Sequence, residues 1–218
     1  MPEKNSLHNT IHPMLIPALA VHAKMSVLLL QAADINTQSH GEARIDSQTG
    51  LLNRRGLDEA FESALGNYLR GGHRRTDDGL HFLMLDIDNF KQYNENQGHI
   101  HGDSVISQVA NASKAALRTD KGDILGRYGR GDEFIAVLKT NPYNARLVAE
   151  RIRADVDDLT ECTISVGVVN VDDFEHDSGI TTLEDFYKLG SQAMRIAKKA
   201  NPVKNSVHFL DPTEQMTD

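Results

Sequence analysis

Residues 80–87 read LHFLMLDI, a nearly continuous apolar run with Asp86 and Asp88 at its C-terminal end. A strand with one face in water alternates apolar and polar residues, and this run does not. It fits a central strand covered on both faces, which requires a sheet with helices packed against it. Any fold for this chain must therefore bury both sides of that strand while leaving two carboxylates at its tip.

The surrounding pattern supplies the covering elements. A helix capped by Asn53 is expected to run through Leu57, Phe61, Leu65 and Tyr68 until Gly71 and Gly72 stop it. Residues 89–97 predict a short helix, broken by GHIHG at 98–102. A longer helix is expected from Asp103, with Val105, Ile106, Val109, Ala112 and Ala116 on one face. Ile124 and Leu125, then residues 134–138 (FIAVL), flank a turn containing two glycines, the pattern of a hairpin. Residues 143–156 predict a helix, 163–171 a β-branched strand, 182–200 a helix and 206–210 a closing strand. The fold class is α/β (α+β) with a mixed sheet, in the ferredoxin-like, nucleotidyl-cyclase-like manner, with an antiparallel hairpin inside it. A further helix is expected over residues 15–34, where Ile16, Leu19, Ala20, Ala23, Val27 and Leu30 are spaced by threes and fours. Its apolar face needs the main domain or a second copy of the chain to cover it. The polar stretch 36–41 divides an N-terminal helical segment, 1–40, from a main domain, 41–218.

Charge and composition narrow the function. A net charge of −8 argues against nucleic-acid binding, which needs a basic surface, but leaves room for a nucleotide held by a few local cations and a metal. The single cysteine, Cys162, excludes an intrachain disulfide, suits a reducing compartment and reads as a buried core thiol. The apolar tract 14–33 is interrupted by Pro17, His22, Lys24, Ser26 and Gln31, a poor match to a membrane span. No secretory signal is evident, and the expected location is cytoplasmic.

The chemistry concentrates in two acidic clusters, Asp86 with Asp88 and Asp132 with Glu133. Pairing of the run at 80–87 with the hairpin would bring their carboxylates to one end of the sheet, a hard-oxygen set suited to Mg²⁺. On spacing alone, Asp132 and Glu133 can equally be surface charge on a turn. His99 and His101, without a cysteine near them, make a weak zinc signal.

Four segments in order, DSQTGLLNRR (46–55), LDIDNFKQYNENQGHIHGD (85–103), RYGRGDEF (127–134) and TISVGV (163–168), resemble the GGDEF domain, the diguanylate cyclase family. The resemblance covers about three-quarters of the chain. It implies that two GTP molecules are joined into cyclic di-GMP with release of pyrophosphate, across a homodimer in which each protomer holds one GTP. Position by position, it implies metal ligation by Asp86, Asp132 and the Ile87 carbonyl, with Mg²⁺ the expected cofactor and Mn²⁺ an alternative. It implies activation of the attacking hydroxyl by Glu133 or Asp132, with Arg127 near the reacting centre. It implies guanine reading by Asn94 and Asp103, since a carboxylate accepts from the N1 and N2 hydrogens that adenine lacks. His99 matches a substrate-site histidine, though a turn histidine without a ligand reads the same way. Phe90, Lys91 and Lys198 match substrate-contacting positions, and Lys204 is the nearest replacement for a C-terminal arginine. Upstream segments of such cyclases set dimerisation, a role open to residues 15–34.

Three departures from the family pattern stand out. Arg130 reads either as a residue inserted into the signature turn or as a replacement of its first glycine, with the arginine and aromatic positions slipping by one; an insertion puts the aim of Asp132 at Asp86 in question. Gly190, Ser191 and Arg195 replace an Ala-Asp pair and a tyrosine. Asp120 stands where the product-inhibition motif, ending at Asp123, has an arginine. The alternative to a working enzyme is thus a module that binds GTP or a protein partner without turnover.

Overall fold

A computed structural model describes residues 43–70, 78–174, 180–201 and 203–214. The chain divides at Ala43, and the described residues belong almost wholly to the second unit, Arg44–Asp218. The helix expected over residues 15–34 lies outside the described residues. Among those described, no helix is long and apolar enough to cross a membrane.

The elements run α1 (Arg54–Arg70), β1 (Gly79–Ile87), α2 (Phe90–Gln97), α3 (His99–Ala116), β2 (Ile124–Arg127), β3 (Glu133–Thr140), α4 (Pro142–Leu159), β4 (Ile164–Asn170), α5 (Leu183–Ala200) and β5 (Val207–Phe209). The five strands form one mixed sheet in the order β2-β3-β1-β4-β5. β1 pairs antiparallel with both β3 and β4, β2 pairs antiparallel with β3, and β5 joins β4 in parallel.

The central position of β1 explains its unbroken apolar run. Successive side chains on a strand point to opposite faces. Leu83, Leu85 and Ile87 pack into one layer with Val105, Val109 and Ile152 of α3 and α4. Phe82 and Met84 pack into the other with Phe61 of α1 and Phe186 of α5. Phe61, Phe82 and Phe186 meet with ring centroids 5.4–6.1 Å apart. Each such buried ring stabilises the fold by about 1.5–3 kcal/mol.

α5 lies unusually close to the sheet. A Cβ on Gly167 would stand 2.4 Å from both the Gly190 carbonyl and the Met194 amide, and one on Gly190 would stand 2.8 Å from Phe82 Cε1. Two facing glycines thus let α5 settle against β4 and β1, which carries Tyr187 and Lys198 to the sheet's carboxylate end. Thr182 and Asp185 form a capping box at the start of this helix.

Of two expected helix starts, one differs. Asn53 does cap α1, accepting from the Gly56 amide at 3.0 Å. α3, however, begins at His99 instead of Asp103, because Gly98 at φ 88° turns the chain and its carbonyl accepts from Gly102 N at 3.2 Å. The break is a single residue, and GHIHG is mostly the first turn of the next helix.

Candidate active site

The signature turn is a compact tip on a regular hairpin. Arg127 pairs with Phe134 across β2 and β3, and the Tyr128 amide donates to the Glu133 carbonyl at 2.9 Å, leaving residues 129–132 as the tip. Gly129, at φ 78°, makes the backbone reversal that a side chain would strain. Arg127 is buried and braces the tip from inside. Its guanidinium donates to the Gly131 carbonyl at 2.9 Å and the Arg130 carbonyl at 3.2 Å. The same group reaches Gln48 Oε1 at 2.7 Å and Asp46 Oδ1 at 3.4 Å. Despite its burial, Asp46 is held below the usual carboxylate range by hydrogen bonds from Thr49 and by the Arg127 charge. Arg127 is therefore fully engaged by the protein, away from open solvent, while Arg130 is exposed at the tip.

The register sets the carboxylates side by side. Asp86 of β1 is directly opposite Glu133 of β3, and the Ile87 amide donates to the Asp132 carbonyl at 3.3 Å. Burial raises the Asp86 pKa, and the nearby charges of Asp132 and Asp88 add to that, while Lys198 works against it. Burial likewise raises Glu133, reinforced by Asp86 and Asp132 and opposed by a hydrogen bond from Tyr187. Mutual repulsion of this kind is the signature of carboxylates converging on one spot.

Lys198 answers that negative charge from α5. Its ammonium is hydrogen-bonded to Asp86 Oδ1 and lies 3.8 Å from Asp88 Oδ1. Asp88 itself is a strut. It is 4% exposed and accepts from Ser165 Oγ at 2.8 Å, from Thr163 Oγ1 at 2.9 Å and from the Asn205 amide at 2.9 Å. Lys204 and Asn205 take the left-handed conformation, at φ 61° and 47°, as the chain presents that amide. Lys204 Nζ donates to Asn89 Oδ1 at 2.6 Å, at the turn that enters α2.

Asn94 and Asp103 come from adjoining helices, α2 and α3. Asn94 Oδ1 is buried with no hydrogen-bond partner among the described residues, and a Cβ on Gly102 would stand 1.8 Å from it. Only glycine at 102 leaves room for that amide. The next residue, Asp103, is exposed except for Gln48 Nε2, which donates to its Oδ1 at 3.2 Å and its carbonyl at 3.1 Å. Asn94 and Asp103 thus offer acceptor oxygens on adjacent helices. Phe90 packs against the core below them. Lys91 is 92% exposed and 4.0 Å from Glu95, and His99 is exposed at the start of α3.

The residues present suit Mg²⁺ by donor chemistry. Asp86, Asp132 and the Ile87 carbonyl are hard oxygen donors, and the place is electrostatically starved enough that Lys198 already fills it with positive charge. Among the described residues, no three histidine, cysteine or acidic side chains are arranged to hold a metal by themselves.

A family model described as "Diguanylate cyclase, GGDEF domain" matches residues 43–203. The chain belongs to the GGDEF family. Diguanylate cyclase DgcM of Escherichia coli K12 is 31% identical over 170 residues, covering 75% of this chain and 38% of DgcM. Cyclic di-GMP phosphodiesterase NbdA of Pseudomonas aeruginosa is 32% identical over 136 residues, covering 62% of this chain and 16% of NbdA. The chain therefore spans well under half the length of these curated relatives. Among solved structures, diguanylate cyclase SiaD of P. aeruginosa, in complex with its activator SiaC, superposes with a TM-score of 0.65 at 30% identity, covering 91% of this chain and 74% of SiaD.

Within this GGDEF domain, sequence reasoning missed the residues that hold the site together. Asp46 and Gln48 were legible as part of a matching segment, yet nothing in their spacing pointed to Arg127 or Asp103. Tyr187, which donates to both Glu133 oxygens at 3.1 and 3.2 Å, reads in sequence as one more residue of an amphipathic helix.

Proposed function

We propose that this chain is a diguanylate cyclase that joins two GTP molecules into cyclic di-GMP, each protomer of a homodimer presenting one. What carries the reading is the hairpin register. Arg130 stands in the tip, outside the paired strands, and Glu133 lies opposite Asp86 with the Asp132 carbonyl hydrogen-bonded to the Ile87 amide.

In this reading Asn94 and Asp103 accept from the guanine N–H groups, Asp103 from its exposed position on α3 and Asn94 once its amide, now packed against Gly102, turns toward the base. Asp86, Asp132 and the Ile87 carbonyl would hold Mg²⁺, or Mn²⁺, which would supply neutralisation of phosphate charge and a more electrophilic α-phosphorus. The ribose 3′-oxygen of one GTP forms a bond to the α-phosphorus of the other, the bond to the β-phosphate oxygen breaks, and pyrophosphate leaves. The hydroxyl proton passes to Glu133, whose pKa is raised above its ordinary value by burial and by its two acidic neighbours. Lys198 exchanges Asp86 for phosphate when the nucleotide enters, and Lys91 meets the triphosphate from the solvent side of α2. Two such events, with the protomers face to face, close the ring.

A second reading has one observation in its favour. Lys198 is paired with Asp86, and if that pair persists in the presence of nucleotide the domain binds GTP or a protein partner without turnover. Purified protein incubated with GTP and Mg²⁺, with products resolved by mass spectrometry, separates the two. Cyclic di-GMP is expected. GTP binding by calorimetry without any product would overturn the cyclase reading and leave the binding module.

A further inference from the structure

Glu133 is held by a group from outside the signature turn. The Tyr187 hydroxyl donates to Glu133 Oε1 at 3.1 Å and Oε2 at 3.2 Å, so it straddles the carboxylate. The Tyr187 ring is itself fixed, stacked on Tyr128 with centroids 4.2 Å apart and planes 22° off parallel. On its far side, Tyr128 has Arg54 with the guanidinium carbon 4.8 Å from the ring centroid, and its hydroxyl donates to Glu184 Oε2 at 2.8 Å. Arg54 closes the circuit by pairing with that same Glu184 oxygen at 2.7 Å.

These contacts draw on separate parts of the chain. Arg54 opens α1, Tyr128 ends the hairpin's first arm, and Glu184 and Tyr187 lie one turn apart on α5. A carboxylate at the base of a glycine-rich tip, on a side chain with three rotatable bonds, has many rotamers. A phenol anchored by stacking and spanning both oxygens removes most of them. The tip itself is braced by Arg127, but none of the Arg127 hydrogen bonds reaches the Glu133 side chain. The Asp86 side of the site is handled by Lys198. Among the described residues, Tyr187 is thus the group hydrogen-bonded to the Glu133 carboxylate.

We infer that Tyr187 is a positioning residue for the cyclase reaction, holding the Glu133 carboxylate in the orientation from which it takes the ribose 3′-hydroxyl proton. The inference rests on the cyclase reading. Orientation of a base affects the transition state more than ground-state binding, so its loss appears in kcat and not in the KM for GTP.

The test compares wild type with Tyr187→Phe, which keeps the ring stack and deletes only the hydroxyl, and with Tyr187→Leu, which removes both. In Tyr187→Phe, kcat is expected to fall about tenfold with KM within twofold and thermal stability near that of wild type. Tyr187→Leu is expected to lose more in kcat. An activity-independent readout is available because the chain has five tyrosines and no tryptophan. A phenol hydrogen-bonded to a carboxylate is a quenched emitter, so Glu133→Gln should raise tyrosine emission in the wild-type background and leave it unchanged in Tyr187→Phe. Active wild type with an equal kcat in Tyr187→Phe overturns the positioning role alone, as does a change confined to KM. Wild type that makes no cyclic di-GMP overturns the cyclase reading and the role with it, while the emission pair still reports whether the contact exists.

Discussion

Arg127 separates two accounts of the signature turn, one in which its guanidinium works on the reacting groups and one in which it builds the turn. In the structure it is 4% exposed and makes four hydrogen bonds, to Gly131, Arg130, Gln48 and Asp46. Removing one partner of a buried charged pair costs about 3–5 kcal/mol, because the other charge is left uncompensated. Asp46 keeps the Thr49 amide and hydroxyl at 2.9 and 2.7 Å and its side chain is 14% exposed, so the lower end of that range applies. Arg127→Ala is therefore expected to lose about 3 kcal/mol, which for a domain of this size lowers Tm by about 6–12 °C. With an m-value of about 2 kcal/mol/M, the urea midpoint should fall by about 1.5 M at unchanged slope. Arg127→Lys keeps the charge but not the fork that reaches several acceptors, and should lose about 1–2 kcal/mol. The difference between Arg127→Ala and wild type should also shrink in acid. Asp46 has a folded pKa below its ordinary 3.8, so its contribution is complete above that value and is lost as pH falls through the lower, folded one. Urea titrations at pH 7 and at pH 3 test this. A stability for Arg127→Ala within about 0.5 kcal/mol of wild type, with cyclase activity nonetheless abolished, would refute the bracing role and place the guanidinium at the chemistry.

Three further outcomes follow from contacts at or below the site. Glu133→Gln should abolish cyclic di-GMP formation while raising Tm slightly at pH 7, since burial and two acidic neighbours raise its folded pKa above 4.5. The ionised form therefore weakens the fold as pH rises through the interval between those values, and the amide does not ionise; calorimetric scans at pH 7 check it. Gly102→Ala places a Cβ 1.8 Å from Asn94 Oδ1 and must turn that amide away, so the KM for GTP should rise about tenfold, the worth of one well-made hydrogen bond, with little loss of stability. Gly126→Ala puts a Cβ 2.4 Å from Leu57 Cγ and 2.6 Å from the Leu52 carbonyl, an overpacking that should cost about 1–3 kcal/mol in urea unfolding.

Much of the frame was legible because each element announces itself locally. The apolar run of β1 is continuous because Phe82 and Met84 serve one layer and Leu83 and Leu85 the other. The hairpin, the capping of α1 by Asn53 and the burial of Cys162, 7% exposed, likewise follow from nearest neighbours in the chain. Helix starts were less legible. GHIHG contains two glycines, and nothing local distinguishes Gly98, which turns the chain, from Gly102, which sits inside α3 to admit the Asn94 amide. That second role depends on a neighbouring helix.

The same logic sorts the site residues. Asp86 and Asp88 could be grouped with Asp132 and Glu133 because β1 and β3 are strands, and strand register converts sequence position into spatial position almost without freedom, while the Ile87 carbonyl came only from the family resemblance. The groups that tune them come from other parts of the fold. Lys198 reaches Asp86 across 112 residues, Gln48 reaches Asp103 across 55, and Tyr187 reaches Glu133 across 54. No periodicity in α5 says which of its residues will face a carboxylate until the Gly167–Gly190 contact fixes how the helix lies on the sheet. Arg130 makes the complementary point. A residue added within a strand shifts register and turns the side chains beyond it to the other face, whereas Arg130 stands in a four-residue tip, 129–132, whose Arg130 and Gly131 carbonyls Arg127 holds. The regular pairing of Arg127 with Phe134 below that tip keeps Glu133 opposite Asp86.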